Sequence, residues 1–518
     1  MPNSISQYKF KYYMLRTTIS RRMSVVLLPL LLLVLSCSRK LDQPDLKPIN
    51  MPKVAGLDSI YYVNIGDTLR INPQLTGGEA NLLDTSRYLV EWSKLKDNQT
   101  DSTYRSNDLQ YVPNLDDAGN STWYYRITDK KLGVFTQQQF EISVVIPTQA
   151  GWYVLSDIGN NSSRLDMLSY NVFSGYAAIP DIIGKMGSTY QLRGKPRSVD
   201  FAYTLMALPQ VATIVITDQD AVFLDPDGLS IVGKVEDDFS LSSNFSPATY
   251  NGIYSFYAAL LNVGGQLYYS DGDLFGDAAG PVPRSATDNS PMHISPLFAC
   301  STDYFYMYNM DMILFDMDSQ SFLRSQNLYY SSSYPVFMGK GELFNFQIKK
   351  KLMALTYTGY NGGEFYAVLE DNDTAAYYLA IFKANGSQRY FAQLNVIGID
   401  QADHFAVGTE FGYLFYTVGS QVYEFDAINQ VNKMVADLGD KQISYIGIPT
   451  FPISINGDSH KEDLSRKLLI CSYDAADQEH SGTIGIYNIP AANAPLQLKE
   501  SYTGFGKIVS LSYRENIE

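Results

Sequence analysis

Apolar strand-like segments that end in a polar turn recur along most of this chain. Each segment closes on Asp or Asn, and successive endings are separated by roughly 40 to 60 residues. Self-similarity on this scale, with several strands per unit, is typical of a β-propeller, because each blade buries its faces only against its neighbours. The endings are residues 169–171, 223–225, 274–277, 314–316, 368–371, 424–426 and 486–488.

The seven endings predict a propeller of seven blades over residues 150–518. The pattern is degenerate, which leaves six or eight blades open, and two stacked β-sandwiches are the alternative that the regular period disfavours. The first unit begins at Gly151 and lacks an innermost strand, whereas the chain ends in a spare strand at 507–513. That strand resembles the leading segments 198–202 and 443–447, so we expect it to complete the first blade.

A separate domain is predicted over residues 57–146. Short strand patterns with turn residues between them suit an Ig-like β-sandwich, and Trp92 and Trp123 are predicted to lie in its core. Residues 37–56, which are polar and contain three prolines, are predicted to form an extended tether. The predicted fold class is therefore all-β, with an N-terminal β-sandwich followed by a β-propeller.

An export signal is predicted over residues 1–36. The apolar run 25–35 is too short to span a bilayer about 30 Å thick but suits a signal peptide, with Arg21 and Arg22 as its positive flank. The sequence Val-Leu-Ser-Cys at 34–37 resembles the bacterial lipobox. That resemblance implies diacylation of the Cys37 thiol and cleavage before it, so that the mature protein is anchored to a membrane by lipid. The alternative is an ordinary secretory signal, but no better cleavage site lies nearby.

Length and charge restrict the class of protein further. A chain of 518 residues is too long for one core, and we expect two domains. Its formal charge is −15, and loss of residues 1–36 removes five basic and no acidic residues, which makes it −20. An acidic chain repels phosphate backbones, so we predict that nucleic acid is not a partner.

Few residues suit catalysis or metal binding. The sequence has no Gly-x-Ser-x-Gly, no phosphate-binding loop and no His-Glu-x-x-His, and we predict no enzyme activity, cofactor or metal. Cys300 and Cys471 lie in apolar runs and are predicted to be buried free thiols, although the exported compartment would permit a disulfide between them. The four histidines are predicted to be surface or loop residues: His293, His404, His460 and His480.

Acidic clusters and aromatic pairs are the remaining candidates for binding. Residues 271–277 place oxygen ligands and a glycine as an EF-hand loop does, but Phe275 and Val282 occupy two positions that need ligands, so we predict turns here and in the other acidic segments. A carboxylate pair gathered in a propeller channel from distant positions stays open. Tyrosine pairs are predicted to place one ring in the core and the other in reach of a sugar or peptide.

The segment 123–145 resembles the closing strands of PKD-like domains: a Tyr-x-Arg-Ile-x-Asp strand, a glycine turn and an alternating strand. Together with the lipobox and the long β-repeat region, it resembles the PKD-like family of lipoproteins from Bacteroidota. Such proteins typically occur beside SusC/SusD-type outer-membrane importers. The resemblance therefore implies an outer-membrane lipoprotein near a TonB-dependent importer, and it implies no chemistry.

The predicted function is a non-enzymatic binding or scaffolding accessory of such an importer. It would be held by lipid at the outer membrane, at the cell surface or on the periplasmic face, and would capture a glycan or a peptide. The alternative is an extracytoplasmic propeller enzyme, a glycoside hydrolase or lyase, for which an acidic or Tyr/His cluster at the channel mouth would be the distinguishing feature. A scaffold that only holds other surface proteins is a third hypothesis.

Overall fold

The described residues fold mainly into antiparallel sheets, which confirms the all-β prediction. The predicted signal, Cys37 and most of the predicted tether lie outside the residues that the structure describes. No helix in the described ranges is long and apolar enough to cross a bilayer. The structure, a computed structural model, describes residues 49–78, 84–96, 99–172, 174–204, 210–239, 241, 246–255, 259–270, 279–301, 311–325, 336–451 and 457–516.

The N-terminal region contains one five-stranded sheet and two small ones. The large sheet has the order β2-β9-β8-β5-β6, in which β2 and β9 run parallel, and the pairs β1-β4 and β3-β7 form the small sheets. The strands are β1 Pro52–Ala55, β2 Ile60–Asn64, β3 Leu69–Ile71, β4 Gln74–Gly77, β5 Tyr88–Lys96, β6 Gln99–Tyr104, β7 Leu109–Tyr111, β8 Gly119–Asp129 and β9 Val134–Val145.

The hairpin β8-β9 is the one that the Gly133 turn predicted. Buried and exposed residues alternate along both strands, since one face of the sheet covers the core. Trp92 and Trp123 are fully buried there, as predicted. The Trp92 ring lies 4.3 Å from that of Tyr125 and 5.8 Å from that of Phe140, measured between ring centroids. Aromatic packing therefore forms the centre of this region.

The described residues between 151 and 514 form seven four-stranded antiparallel sheets, here called sheets one to seven. Sheet one has the order β37-β10-β11-β12, and sheets two to seven each take four consecutive strands from β13 to β36. The strands of sheets one to four are β10 Gly151–Asp157, β11 Ser163–Asn171, β12 Gly175–Ile179, β13 Pro196–Thr204, β14 Gln210–Thr217, β15 Ala221–Leu224, β16 Ile231–Lys234, β17 Tyr250–Ser255, β18 Ala259–Val263, β19 Gln266–Ser270, β20 Ala279–Val282, β21 Ala299–Cys300, β22 Met312–Asp316, β23 Ser321–Ser325 and β24 Val336–Phe337.

The remaining strands and the short helices complete this region. The strands are β25 Lys350–Thr358, β26 Glu364–Asp371, β27 Tyr377–Phe382, β28 Gln388–Gln393, β29 Phe405–Val407, β30 Leu414–Val418, β31 Gln421–Asp426, β32 Val431–Asp437, β33 Gln442–Gly447, β34 Lys467–Tyr473, β35 Gly482–Asn488, β36 Gln497–Phe505 and β37 Lys507–Arg514. The α-helices are α1 Ile182–Lys185, α2 Val235–Asp238 and α3 Ser459–Leu464, and the 3-10 helices are Leu115–Asp117, Pro247–Thr249, Tyr360–Gly362 and Ile399–Gln401.

Each sheet packs its two faces against the sheets before and after it. Six apolar clusters join sheets two to three, three to four, four to five, five to six, six to seven, and seven to one. Middle strands such as β15, β22 and β34 are therefore buried on both faces and read as continuous apolar runs, whereas outer strands such as β16 and β24 are exposed.

The C-terminal strand β37 pairs antiparallel with β10 and supplies the first strand of sheet one. We call β37 and the first strands of the other sheets the leading strands. Adjacent leading strands contact one another from β21 through β25, β29, β33, β37 and β13 to β17. Arg514 at the end of β37 also bonds Asp227 and the Pro226 carbonyl in sheet two. The last strand thus connects sheets seven, one and two.

Two compact units make up the chain. The smaller comprises Gln74–Leu89, Ile127–Thr136 and the described residues 49–55, and the Arg87–Asp129 ion pair lies within it. The larger comprises Gly56–Pro73, Val90–Arg126 and Gln137–Glu518, and so contains all seven sheets. Within the larger unit, Lys185 at the end of α1 pairs with Asp67 of the N-terminal region.

Candidate functional site

The leading strands line a cavity of about 380 Å³, here called the central cavity. Strands β13, β21, β25, β33 and β37 contribute its walls, so that residues far apart in sequence meet there. This volume lies within the range of small-ligand sites, about 300 to 1,000 Å³. The lining residues are Trp152, Ser198, Val199, Asp200, Phe201, Phe298, Ala299, Cys300, Leu355, Thr356, Tyr357, Tyr445, Ile448, Pro449, Thr450, Phe451, Leu469, Ser510, Leu511, Ser512 and Tyr513.

Serines of β37 hold one wall of the central cavity together. The hydroxyl of Ser510 accepts a hydrogen bond from the Val199 amide at 3.1 Å, and that of Ser512 accepts one from the Phe201 amide at 2.8 Å. Ser512 also donates to the Asp200 carboxylate at 3.2 Å. These bonds supply partners for backbone groups at the edge of β13 and fix the position of Asp200.

Aromatic rings form the wall beside β37. Trp152 of β10 is 4% exposed, and its ring centroid lies 4.9 Å from that of Tyr513. Phe451 packs edge-on against the same tyrosine, also at 4.9 Å between ring centroids. Because the three rings pack on one another, the wall is rigid and mostly apolar.

A groove of about 610 Å³ adjoins the central cavity, and seven residues line both: Thr356, Tyr357, Tyr445, Ile448, Pro449, Thr450 and Phe451. Its other residues come from sheets five to seven, in each case from the leading strand or the connection that follows it. These are Thr358, Gly359, Phe405, Ala406, Val407, Thr409, Glu410, Ile446, Gly447, Ser465 and Arg466. The two spaces are therefore adjacent, and these seven residues form their common boundary.

A buried ion pair positions the groove residues of sheet five. Glu364 is 1% exposed and receives two hydrogen bonds of 2.7 Å from the Arg389 guanidinium. Arg389 also donates to the Tyr366 hydroxyl, which donates in turn to the Gly412 carbonyl at 3.1 Å. Gly412 has φ +65°, and a Cβ there would lie 2.5 Å from the Tyr360 ring, so the turns of sheets five and six meet only because this residue is glycine.

One histidine belongs to an aromatic cluster behind the cavity wall. His460, in the first turn of α3, stacks on Tyr170 with 4.2 Å between ring centroids, and its Nε2 lies 2.9 Å from the Tyr176 hydroxyl. Burial lowers the pKa of the His460 imidazole. Tyr176 also interacts with Tyr513, which lines the cavity. The sequence predicted a surface or loop position, whereas the helix places this ring against sheet one.

Glu424 is a fully buried carboxylate outside both cavities. One of its oxygens accepts from the Asn493 side chain at 2.7 Å, and the other has no partner within the described structure. Burial raises the pKa of this carboxyl to about 7; the Asn493 bond opposes the rise, and the Asp426 charge adds to it. Sheet six therefore contains an acid that titrates near neutral pH.

The two cysteines and the three other histidines lie in environments that indicate a structural role. Cys300 and Cys471 are buried free thiols, as predicted, and Cys300 lines the central cavity. His293 and His480 are exposed and lie beside Asp318 and Asp477, while half-buried His404 has its pKa lowered by burial and by Lys507. Within the described ranges, no group of three His, Cys, Asp or Glu side chains could hold a metal ion.

Turn formation accounts for the acidic segments that the structure describes. Asp225 accepts from the amides of Asp227 and Gly228, and Asp371 does so from those of Asp373 and Thr374. The EF-hand-like segment 271–277 lies outside the described residues, as do the tyrosines at 304–308 and 329–330. Of the described pairs, both Tyr377 and Tyr378 are half-buried, and Tyr378 stacks on Phe391 at 5.6 Å between ring centroids.

Sequence reasoning missed most of the cavity residues. It identified 198–202, 443–447 and 507–513 as similar leading segments but did not place Asp200, Tyr445 or Tyr513 in one site. The available signal was the shared position of these segments within the repeat, since equivalent strands of a propeller line its centre. Tyr357 and Phe451 carried no such signal.

Comparison with known proteins found one family match and several distant structural neighbours. Residues 44–196 match the model of the PKD-like family, which covers the N-terminal region and most of sheet one. A search of curated proteins found no match. Among solved structures, a quinonprotein alcohol dehydrogenase-like protein from Bacteroides thetaiotaomicron is 10% identical, with a TM-score of 0.40 and coverage of 90% of this chain and 99% of that one.

Two further solved structures are similar at the same level. A protein from Lactobacillus plantarum is 9% identical over 70% of this chain and 99% of its own, with a TM-score of 0.40. A surface component of the type-IX secretion system of Porphyromonas gingivalis is 9% identical over 69% of this chain and 48% of its own, with a TM-score of 0.36. All three similarities are distant, with TM-scores of 0.40 or less.

Proposed function

We propose that this chain is a lipid-anchored extracytoplasmic binding protein whose seven sheets are the blades of a closed β-propeller. The observation that carries the proposal is the central cavity, to which five of the seven sheets contribute a leading strand. Apolar clusters between successive sheets, including seven and one, support the closed ring. A rigid scaffold of this kind holds lining side chains in a fixed arrangement, as ligand recognition requires.

The proposed role is non-enzymatic capture of a glycan or peptide beside an outer-membrane importer. The lipobox-like sequence at Cys37 and the resemblance to PKD-like lipoproteins support this location. Rings and hydroxyls in the cavity suit either ligand, because each combines apolar faces with hydrogen-bonding groups. In the proposed complex, a TonB-dependent importer of the SusC/SusD type receives the ligand.

Blocking the junction of the two cavities is expected to abolish ligand binding. Thr450 is exposed and lines both spaces, so Thr450→Trp narrows both without adding a buried group. The full chain in detergent is screened against oligosaccharide and peptide arrays, and the affinity of each binder is then measured by calorimetry. We expect at least a tenfold loss for Thr450→Trp, because a bulky side chain excludes the ligand.

The matched control is Thr287→Trp, at an exposed threonine in a turn that lines neither space. It is expected to bind as the wild type does. Absence of any binder on either array, or an unchanged affinity of Thr450→Trp, would count against the proposed binding site. Co-purification of the tagged chain from outer membranes tests the importer separately.

Cys37→Ala is expected to prevent lipid attachment. Cells that express the full chain are fed an alkyne analogue of palmitate, and the labelled protein is detected after click chemistry. Wild type should be labelled, whereas the variant lacks the thiol that accepts the diacylglycerol. Cys300→Ala serves as the control and should stay labelled, since that thiol is buried. An unlabelled wild type would contradict the anchored location.

The second candidate is an enzyme that acts on polysaccharide. One observation favours it: the His460–Tyr176 pair lies next to Tyr513 of the cavity wall, and a histidine beside a tyrosine can relay a proton. Turnover of a polysaccharide panel by the wild type, with loss in His460→Ala, would identify an enzyme. Retained binding without turnover would favour the first proposal.

A further inference from the structure

Lysine and leucine side chains are exposed together at the tip of the β8-β9 hairpin, residues 130–133. Lys130 and Lys131 are exposed, and Leu132 beside them is 40% exposed. Lys130 donates to the Thr85 carbonyl at 2.7 Å, which leaves two of its three N–H groups for other acceptors. Cations next to an exposed apolar side chain suit an anionic lipid surface, because the charges bind the headgroups while the apolar group enters the boundary below them.

The acidic residue of this turn faces the protein. Asp129 is 3% exposed and pairs with Arg87, and one of its oxygens accepts from the amides of Lys131 and Leu132 at 2.9 and 3.1 Å. The Asp129 carboxylate therefore shapes the turn, while Arg87 balances its charge. Asp84 is the one exposed acid among the described residues of the smaller unit. The surface of the hairpin tip is consequently basic.

The chain enters the smaller unit beside this hairpin. The hydroxyl of Thr136, the third residue of β9, donates to the carbonyl of Pro52 at the start of β1, at 3.1 Å. Ile49, three residues earlier, is 50% exposed, and Lys53 is exposed as well. Fifteen residues lead from Cys37 to Pro52, and when extended they span at most about 50 Å. A lipid on Cys37 therefore keeps a membrane within reach of the hairpin tip.

Charge is divided unevenly between the two units. Without residues 1–36, the sequence of the smaller unit contains seven basic and five acidic residues, a formal charge of +2, whereas the rest of the chain contains 27 and 49, a formal charge of −22. Two of the seven, Arg39 and Lys40, lie close behind Cys37. An anionic lipid surface repels the larger unit and attracts the smaller one.

We propose that the tip of the β8-β9 hairpin docks on the anionic lipid surface that holds the acyl anchor, with Leu132 in the headgroup boundary and Lys53, Lys130 and Lys131 on the lipid phosphates. This inference rests on the lipid anchor of the proposed function and adds a second contact with the same membrane. The short tether and its basic residues favour lipid as the partner. An acidic face of the importer is the competing partner.

Quenching of tryptophan fluorescence by lipid tests this contact. The full chain with Leu132→Trp is reconstituted into vesicles of phosphatidylglycerol and phosphatidylcholine with brominated acyl chains. The fluorescence added to that of the three buried native tryptophans should be quenched. Val172→Trp, at a 74% exposed position of the larger unit, is the control and should not be quenched, because that unit is repelled. Ile49→Trp is a second probe of the smaller unit and should also be quenched.

Reversal of two lysine charges tests the electrostatic part of the contact. Lys53 and Lys131 have no side-chain partner within the described residues, so Lys53→Glu/Lys131→Glu should fold normally. Each cation near an anionic surface strengthens binding about fivefold, so this double variant should shift docking about 25-fold toward the undocked state and lose most of the quenching. Lys340→Glu/Lys349→Glu makes the same charge change at exposed lysines of the larger unit and should leave the quenching unchanged.

Two results would overturn the inference. One is quenching of Leu132→Trp no stronger than that of Val172→Trp, and the other is equal quenching in vesicles of phosphatidylcholine alone. Crosslinking of the hairpin tip to an importer subunit, without quenching by lipid, would assign it to the competing partner. Palmitate labelling at Cys37 is read separately: a labelled wild type without quenching refutes the hairpin contact alone, and quenching with an unlabelled wild type refutes the anchor alone.

Discussion

Deletion of residues 507–518 is expected to abolish the cooperative folding of the seven sheets. The deletion removes β37, the first strand of sheet one, and with it a ladder of backbone pairs to β10. Ile508 and Tyr513 are buried, and burial of one such side chain contributes about 1.5–3 kcal/mol. Their loss would also expose Trp152, which packs on Tyr513.

Two ion pairs disappear in the same deletion. Arg514 pairs with Asp227 of sheet two, and Glu515 pairs with Lys461 of α3, so the C-terminus connects sheet one to both of its neighbours. Lys461 would be left largely buried without its partner, and breaking a buried pair costs about 3–5 kcal/mol, whereas Asp227 is 45% exposed and its loss of Arg514 costs less. Together these losses approach the whole stability of an ordinary domain, about 5–15 kcal/mol.

Circular dichroism during heating and urea titration measures this effect. The deletion variant should lack a cooperative transition, and a synthetic peptide of residues 506–516 added in trans should restore one. The same peptide with Ile508→Asp should not, because the charge would be placed in the buried seam between sheets seven and one. A deletion variant that melts at the wild-type temperature would show that β37 does not close the structure.

The sequence contains seven apolar runs that end in Asp or Asn, and the described residues form seven four-stranded sheets. These runs, however, do not end the same strand in every sheet. The apolar runs ending at Asn171, Asp225, Asp426 and Asn488 end the third strand of their sheets, whereas those at Asp316 and Asp371 end the second. Each of the six described markers lies in a different sheet, and the seventh, at 274–277, lies outside the described residues.

The pairing of the chain end with sheet one was predictable, and the cavity was not. Residues 507–513 repeat the pattern of 198–202, which identifies them as the same kind of strand. Contact between Ser512 and Asp200, however, joins positions 312 residues apart and follows only from the order of the sheets. About half of the residues in the leading strands are polar, and this pattern is also typical of an exposed edge strand. The sequence pattern therefore does not indicate that these strands line a cavity.

The place of His460 was missed for a different reason. Its segment is polar, with Ser, Lys, Glu and Asp neighbours, and was therefore read as a surface insertion. In the structure the N-cap Asp458 accepts from the amides of His460 and Lys461 and begins a helix, which directs the imidazole to Tyr170. Local capping rather than hydrophobic periodicity determines this orientation.

Glu424→Gln is expected to raise the free energy of unfolding relative to the wild type at pH 8. At pH 4.5, where the folded wild type keeps the Glu424 proton, this gain should be largely absent. The folded-state pKa of Glu424 is about 7, above the ordinary value of 4.5. Between these two pH values the folded chain keeps a proton that the unfolded chain releases, so stability falls as pH rises through this range. Above pH 7 the full penalty for the buried charge applies, and the amide, which does not ionise, avoids it.

The expected pH-dependent difference is roughly 3 kcal/mol between pH 4.5 and pH 8, since each unit of pKa shift corresponds to about 1.4 kcal/mol. Urea unfolding of both proteins at each pH measures it. Glu342→Gln, at an exposed glutamate, is the control and should follow the wild type at both pH values. If the free energy of unfolding depended on pH in the same way for Glu424→Gln and the wild type, the buried carboxyl would not titrate near neutral pH. A gain confined to high pH would instead show that ionisation of the buried Glu424 carboxyl destabilises the folded chain, because within the described structure its second oxygen has no donor to offset the charge.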